Sequence, residues 1–454
     1  MIQTITKKEK FHQLIAILIP ILISQIGLFS MNFFDTIMSG HQSPADLAGV
    51  AIGSSIWIPV FTGLNGILLA ITPIVAQLVG RKQKELVAPS VFQGLYLSIL
   101  IAIIVIVIGS IILDPILNTM ELEAHVRQIA HDYLVALSFG MIPLFANNVL
   151  RSFIDALGKT RVSMIIILTS LPINIIFNYL FIFGKLGFPE LGGVGAGVAT
   201  AITYWLITFM AIFIVHKYQP FADYSIFRTF FKISFTKWKE ILRIGVPIGL
   251  SIFFETSIFC AVTLFMSNFD TNIIASHQSA MNFASFLYMI PLSISMALTI
   301  LVGFEVGAGR FSDAKEYSWL GVGLALILAM ICGLILLLFR TQIAGIYTND
   351  PTVIKITSQF LLYAIFFQLS DAIQAPVQGS LRGYKDVNVT FIMALTSYWI
   401  IGLPFGYIMA TYTEMGAFGY WIGLITGLAA GAICLSSRLF WVQKSKIQPL
   451  SNGN

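Results

Sequence analysis

The sequence predicts an all-α polytopic membrane protein, with twelve transmembrane helices in two parallel-repeat lobes of six. Three observations predict it. Over 454 residues the chain is 57% hydrophobic and 10% charged, whereas a soluble domain carries about 25% charged residues. Its apolar runs are too long for core helices, since about 20 residues span the hydrocarbon. A series of short motifs also occurs twice in the same order, about half a chain apart.

The first apolar run, 14–38, follows Lys7, Lys8 and Lys10 and contains Pro20 and Asp35. A basic start before an apolar run resembles a signal peptide. No small-residue cleavage site follows and the run reaches spanning length, so it reads as a retained first helix. The second run, 48–79, holds Pro59 and Pro73 and exceeds one crossing, so tilt or a break is expected. Runs 91–113, 133–154, 162–183 and 194–215 complete the first six, with Pro143 in the fourth and Pro172 in the fifth. After a basic stretch come 241–267, 274–306, 319–339, 356–381, 389–410 and 418–442, of which the eighth span overall, 274–306, is again long. Pro247, Pro291, Pro376 and Pro404 lie within these spans. Each removes a backbone donor that neighbouring helices or water must replace. The domain reading is a tail 1–13, an N-lobe 14–215, a linker 216–240, a C-lobe 241–442 and a tail 443–454.

A net charge of +5 could point to nucleic acid, but its distribution points to a membrane surface. With the N-terminus inside, all of the 26 Lys and Arg except Arg127, Lys185, Arg340 and Lys355 fall on one side. That asymmetry is a positive-inside signal. It places both termini in the cytoplasm and makes the number of spans even. The expected location is therefore the cell membrane, with the lipid bilayer as partner and no nucleic acid. Cys260, Cys332 and Cys434 are odd in number and far apart, and the six His show no paired-ligand spacing, so neither a disulfide nor a metal cluster is expected.

The repeat is read from five echoes. Pro20-x-x-x-Ser24 returns as Pro247-x-x-x-Ser251 and Leu168-Thr169-Ser170 as Leu395-Thr396-Ser397, both offset by 227. His41-Gln42-Ser43 returns as His277-Gln278-Ser279, offset by 236. Gly80-Arg81 matches Gly309-Arg310 at 229, and Gly195-Ala196 matches Gly416-Ala417 at 221. Six spans per half give both halves the same orientation in the membrane, which is the design of a transporter with its site between the halves. Bends at Pro20 and Pro247 are expected hinges.

Three acids lie at membrane depth: Glu255, Asp371 and, nearer an outer helix end, Asp35. A charge at the bilayer centre costs roughly 2.5–3.5 kcal/mol on insertion scales. Such groups mark an ion pathway or join helices as hydrogen-bonded acids. Two carboxylates facing one cavity repel, and a proton or Na+ relieves that repulsion. Glu255 and Asp371 are therefore candidate ligands for a coupling cation, with possible Na+ there. In the first half, Asn174 and Asn178 share a helix face. With Thr200 and Asp35 they would form an oxygen-rich cluster suited to a hard cation or a proton. Phe253, Phe254, Phe259, Phe286, Tyr288, Phe367 and Gln374 lie at similar depth and are candidates to line a cavity for flat lipophilic cations.

Combined motifs then identify a resemblance. Asp35-Thr36-Ile37-Met38-Ser39-Gly40-His41, Thr72-Pro73-Ile74-Val75-Ala76-Gln77-Leu78-Val79-Gly80 and Pro172-x-Asn174-x-x-x-Asn178-Tyr179 resemble the NorM-like branch of the multidrug and toxic compound extrusion (MATE) family. So do Gly192-Gly193-Val194-Gly195-Ala196-Gly197, Pro376-x-Gln378-Gly379-x-Leu381-Arg382-Gly383 and Gly416-Ala417-x-Gly419-x-Trp421. The resemblance implies a cation-coupled antiporter that exports organic cation drugs and dyes by alternating access. It needs no cofactor; the coupling ion is Na+ or H+. The family's C-lobe coupling site maps onto Glu255 and Asp371, and its N-lobe site onto Asp35, Asn174, Asn178 and Thr200. Some relatives carry a tyrosine where Phe367 stands, so that hydroxyl is missing here. A monomer is expected.

Other readings fit less well. A facilitator-type drug–proton antiporter would carry Gly-x-x-x-Asp-Arg between spans two and three, where this chain has Gly80-Arg81-Lys82-Gln83-Lys84-Glu85. A lipid-linked saccharide flippase would favour a basic cavity. A membrane enzyme would need a nucleophile motif or paired histidines, and a channel does not require two duplicated lobes.

Overall fold

A computed structural model describes residues 3–451, with side chains to 447. Parts of the expected tails 1–13 and 443–454 therefore lie outside the described residues. Every regular element within them is helical. In chain order these are α1 (Lys7–Gln42), α2 (Pro44–Leu68), α3 (Ile71–Gly80), α4 (Val87–Thr119), α5 (Ala124–Ser138), α6 (Met141–Ala156), α7 (Thr160–Ile182) and α8 (Gly193–Lys217). They are followed by α9 (Phe235–Met266), α10 (Thr271–Gly307), α11 (Phe311–Tyr347), α12 (Pro351–Gly383), α13 (Asn388–Leu395), α14 (Leu403–Tyr412) and α15 (Ala417–Ser451).

Eleven of the described segments are long and apolar enough to cross a membrane, and α5 with α6, bent by 51°, supplies a twelfth when counted as one span. The expected fourth span is this bent pair. The two long runs behave differently. The second is interrupted by a turn at Leu69 and Ala70, whereas the eighth, α10, continues through Pro291 as a single helix of 37 residues. The eleventh span is α13 and α14 joined by a π-helical stretch, Thr396–Gly402. Apolar side chains remain exposed along α4 (Ile104, Val107, Ile108, Ile111) and α11 (Ile327, Ile331, Leu334, Leu338). Such stripes suit contact with lipid.

The chain divides into two compact units, Ile19–Gly249 and Leu250 onward joined by residues up to Leu18. The division differs from the expected lobe limits: residues 14–18 pack with the second half and 241–249 with the first. The exchange falls beside Pro20 and Pro247.

In the second unit the start of α1 is held to α11. Lys10, 2% exposed, makes ion pairs with Asp313 at 2.6 Å and with Glu316. Thr4 donates to the Tyr317 hydroxyl at 2.8 Å, which donates to Gln13 at 2.6 Å. In the first unit the start of α9 lies on α2: a Cβ at Gly245 would meet the Ile67 carbonyl oxygen at 2.2 Å, and one at Gly249 the Gly63 carbonyl oxygen at 2.5 Å. Only glycine permits that approach. The linker is fixed to α4 of the same unit. Gln93 donates to the Lys232 carbonyl at 2.8 Å and accepts from the Ser234 amide at 3.0 Å, and Tyr96 donates to the Phe231 carbonyl at 3.0 Å.

The turns refine the repeat. Lys82 and Gly309, at φ 59° and 75°, close equivalent helix ends, with Gln83 N–H donating to Leu78 and Arg310 N–H to Glu305. Gly158 and Lys385, at φ 74° and 61°, do the same, with Lys159 donating to Ile154 and Asp386 to Leu381. These are six-to-one terminating bonds around a left-handed residue. Both pairs are separated by 227, so the Gly80/Gly309 echo at 229 was two residues out of register. At the entry to the last span of each half, Gly192 and Gly416 share a positive φ and accept from Gly195 and Gly419. That makes the offset there 224 instead of 221.

Candidate functional site

Two polar clusters lie among the helices, one inside each unit. In the first unit α1 presents Asp35, α7 presents Asn174 and Asn178, and α8 presents Thr200. Asp35 is 5% exposed and the other three side chains are also buried. Asn178 Nδ2 donates to Asp35 Oδ1 at 2.6 Å and to Asn174 Oδ1 at 3.0 Å. The Thr200 hydroxyl donates to Asp35 Oδ2 at 3.0 Å and accepts from Asn174 Nδ2 at 3.2 Å. The four residues expected together are therefore in contact. Asn178 Oδ1 is buried with no hydrogen-bond partner. Since Nδ2 is committed to two acceptors, the amide cannot turn without losing both, and its oxygen stays available to a cation. Tyr133 and Tyr204 stand within electrostatic reach of Asp35. Neither was anticipated, because aromatic residues in spans are common and no spacing sets these two apart.

In the second unit the frame is α12. Asp371, Gln374, Gln378 and Arg382 follow at steps of three, four and four, which places them along one helix face. All four are buried. Facing them, α9 presents Glu255, eight residues beyond Pro247. Arg382 Nη2 donates to Gln378 Oε1 at 3.2 Å, and Gln378 Nε2 donates to Glu255 Oε1 at 2.6 Å. Asp371 lies within electrostatic reach of Glu255 and makes no hydrogen bond or ion pair within the described residues. Gln374 donates to the Tyr398 hydroxyl, and its own Oε1 is buried without a partner.

The π-helical stretch carries Tyr398 and Trp399. Its wider turn lets adjacent residues reach toward the same region. Tyr398 meets Gln374 on α12, while Trp399 Nε1 donates to the Phe254 carbonyl on α9 at 3.1 Å. Tyr288 on α10 lies within electrostatic reach of Glu255, Asp371 and Arg382.

The aromatic candidates divide. Phe367 is buried, with its ring 5.7 Å from Phe259 and 6.2 Å from Trp421. Phe254 packs edge-on against Trp399 at 6.2 Å and lies 6.0 Å from Phe391. Phe253 and Phe286 are exposed. Gln378 and Arg382 belonged to a quoted motif without an assigned role. Continuing the Asp371–Gln374 face by four and eight residues would have found them. Two further acids near helix ends, Glu305 and Asp155, pair with Arg310 at 2.5 Å and Arg151 at 3.5 Å.

The two arrangements offer carboxylate and amide oxygens, buried but for the half-buried Glu255, the kind of donor set that suits a hard or organic cation. No group of three or more His, Cys, Asp or Glu able to hold a metal ion occurs among the described residues.

Comparison with known proteins gives consistent matches. A model described as MatE matches residues 20–180 and 247–408, once in each half, with starts separated by the register found in the turns. A "Probable multidrug resistance protein NorM" of Halalkalibacterium halodurans is 59% identical over 441 residues, covering 97% of this chain and 96% of its own. A protein of the same name from Bacillus subtilis is 59% identical over 442 residues, with 97% and 98% covered. A solved structure described as the outward-facing conformation of a multidrug resistance MATE family transporter has a TM-score of 0.87 at 19% identity, covering 96% of each chain. At that identity the likeness concerns the fold.

Proposed function

The chain belongs to the MatE family, in its NorM-like branch, and from that premise we propose a multidrug efflux antiporter that exports lipophilic organic cations in exchange for inward Na+ or H+. The observation that carries the reading is the buried carboxylate with adjoining unpartnered amide oxygen in each unit: Asp35 with Asn178, and Asp371, beside the half-buried Glu255, with Gln374. Relatives named for multidrug resistance support the drug class.

The cycle runs by alternating access of two six-helix lobes. An organic cation enters from the cytoplasm and pairs with the acids. Outward opening exposes Glu255 and Asp371 to external Na+ or H+, whose binding weakens the hold on the drug. The loaded protein then returns inward. Each positive charge entering across 100 mV supplies about 2.3 kcal/mol, nearly fiftyfold in gradient, whenever more charge enters than leaves. The protein acts as a transporter and not an enzyme, as a monomer in the cell membrane with both termini in the cytoplasm.

The test is ethidium efflux from energised inverted vesicles with Na+ and pH gradients imposed separately. Stimulation by one gradient, lost in Glu255→Gln, is the expected result and names the ion. Full efflux in a folded Glu255→Gln removes that residue from the mechanism. No response of the wild type to either gradient overturns the antiporter reading.

A further inference from the structure

Arg382 is a buried guanidinium with no ion pair to any carboxylate within the described residues; its one side-chain hydrogen bond is to Gln378. A buried charge without a partner is costly, so its surroundings must compensate it. The repeat register makes its setting unusual. The positions 227 earlier hold Arg151 and Asp155, a pair four residues apart whose charges cancel locally at 3.5 Å. In the second half the same two helix positions hold Gln378 and Arg382, so the arginine charge is not cancelled on its own helix. Its balance lies through Gln378, at Glu255.

Arginine can only donate. It therefore fixes the Gln378 amide with Oε1 toward itself and Nε2 toward Glu255, as the 3.2 Å and 2.6 Å bonds show. The charged groups acting on neighbouring Tyr288 are Glu255, Asp371 and Arg382. With both acids ionised, two carboxylates and one guanidinium leave the cluster with a net charge of minus one. One monovalent cation cancels that charge; a dication reverses it.

We propose that Arg382 is a specificity-determining residue: acting through Gln378, its charge tunes the Glu255–Asp371 cluster to take monovalent organic cations in preference to divalent ones. The assignment rests on the reading that organic cations pair with these acids. Without Arg382 the cluster carries minus two and suits a dication. An added unit charge acting over roughly 10 Å at an effective dielectric constant of about 20 changes relative affinity on the order of tenfold.

The test uses two dyes with the same ring system, the monocation ethidium and the dication propidium. Each is titrated by fluorescence anisotropy against the purified full-length protein at constant ionic strength. Wild type is expected to prefer ethidium. In Arg382→Gln the ethidium-to-propidium affinity ratio should shift on the order of tenfold toward propidium, and Arg382→Lys should keep the wild-type ratio. Gln378→Glu gives the guanidinium a local partner and adds a negative charge, so it should shift the ratio the same way, which also covers failure of Arg382→Gln to fold. A purely structural role moves both dyes together. An unchanged ratio in a folded Arg382→Gln or Gln378→Glu, or an equal shift in Arg382→Lys, overturns the proposal. Wild type binding neither dye refutes instead the organic-cation reading beneath it.

Discussion

Asn178→Leu tests whether Asp35 is held as a charged group or merely glued between helices. The substitution deletes two hydrogen bonds from one nitrogen, at 2.6 Å to Asp35 and at 3.0 Å to Asn174. Hydrogen bonds to a charged group contribute about 1.5–3 kcal/mol and neutral ones about 1 kcal/mol. Interhelical hydrogen bonds in membranes average about 0.6 kcal/mol, reaching about 1.7. A double-mutant cycle separates these cases. Asp35→Ala, which leaves no acceptor for the Asn178 amide, Asn178→Leu and the double variant are compared by reversible denaturant unfolding of the purified protein in mixed micelles. The unpaired Asn174 oxygen is common to both Asn178→Leu arms and cancels. The expected coupling between Asp35 and Asn178 is about 1.5–3 kcal/mol. A coupling at or below about 0.6 kcal/mol would refute the reasoning and reduce the pair to ordinary interhelical glue.

Three further substitutions read the turns and the α1 anchor. Lys82 sits at φ 59°, where a side chain costs about 1–2 kcal/mol, so Lys82→Gly should raise the melting temperature despite glycine's greater entropy loss. At the equivalent turn a Cβ on Gly309 would meet nothing within 4 Å, so Gly309→Ala should cost only the backbone term, about 1 kcal/mol; an unchanged melting temperature would count against the shared turn. Lys10→Met leaves Asp313 and Glu316 without their buried cation and should destabilise by about 1–3 kcal/mol. The same melt with Asp313→Asn added should recover part of that loss, and no recovery would place the effect elsewhere.

Much of the architecture could be read in the chain because a bilayer demands long apolar helices and a charge asymmetry, both of which composition displays directly. The break at Leu69 and Ala70 and the bend between α5 and α6 were less accessible, since apolar sequence continues across both. Short matching words located the repeat, but geometry fixed its register: Lys82 answers Gly309 because both adopt the left-handed conformation, although their side chains have nothing in common. The site shows a similar division. Acids in apolar spans announce themselves, and the i, i+4 asparagines could be paired with Asp35. The role of Arg382 required knowing that Gln378 lies between it and Glu255. In the 227 register Asp35 corresponds to Val262 and Glu255 to Leu28, so the scaffold is duplicated while the polar clusters are not. Measured from the matched prolines, Asp35 lies seven residues farther along its helix than Glu255, about 10 Å.

The attachment of the first helix's start to α11 bears on the order in which the protein is made. Lys10 leaves the ribosome 303 positions ahead of Asp313. At about 5–20 residues per second, its partner follows about 15 to 60 seconds behind. Throughout that interval Lys10, ahead of the first apolar run, waits without the acidic partners that later hold it. The unit containing Leu250 onward is thus completed by a segment made long before it. A stall or truncation before α11 would leave the first helix inserted but unmoored, exposing it to quality-control proteases even when the first six spans are intact.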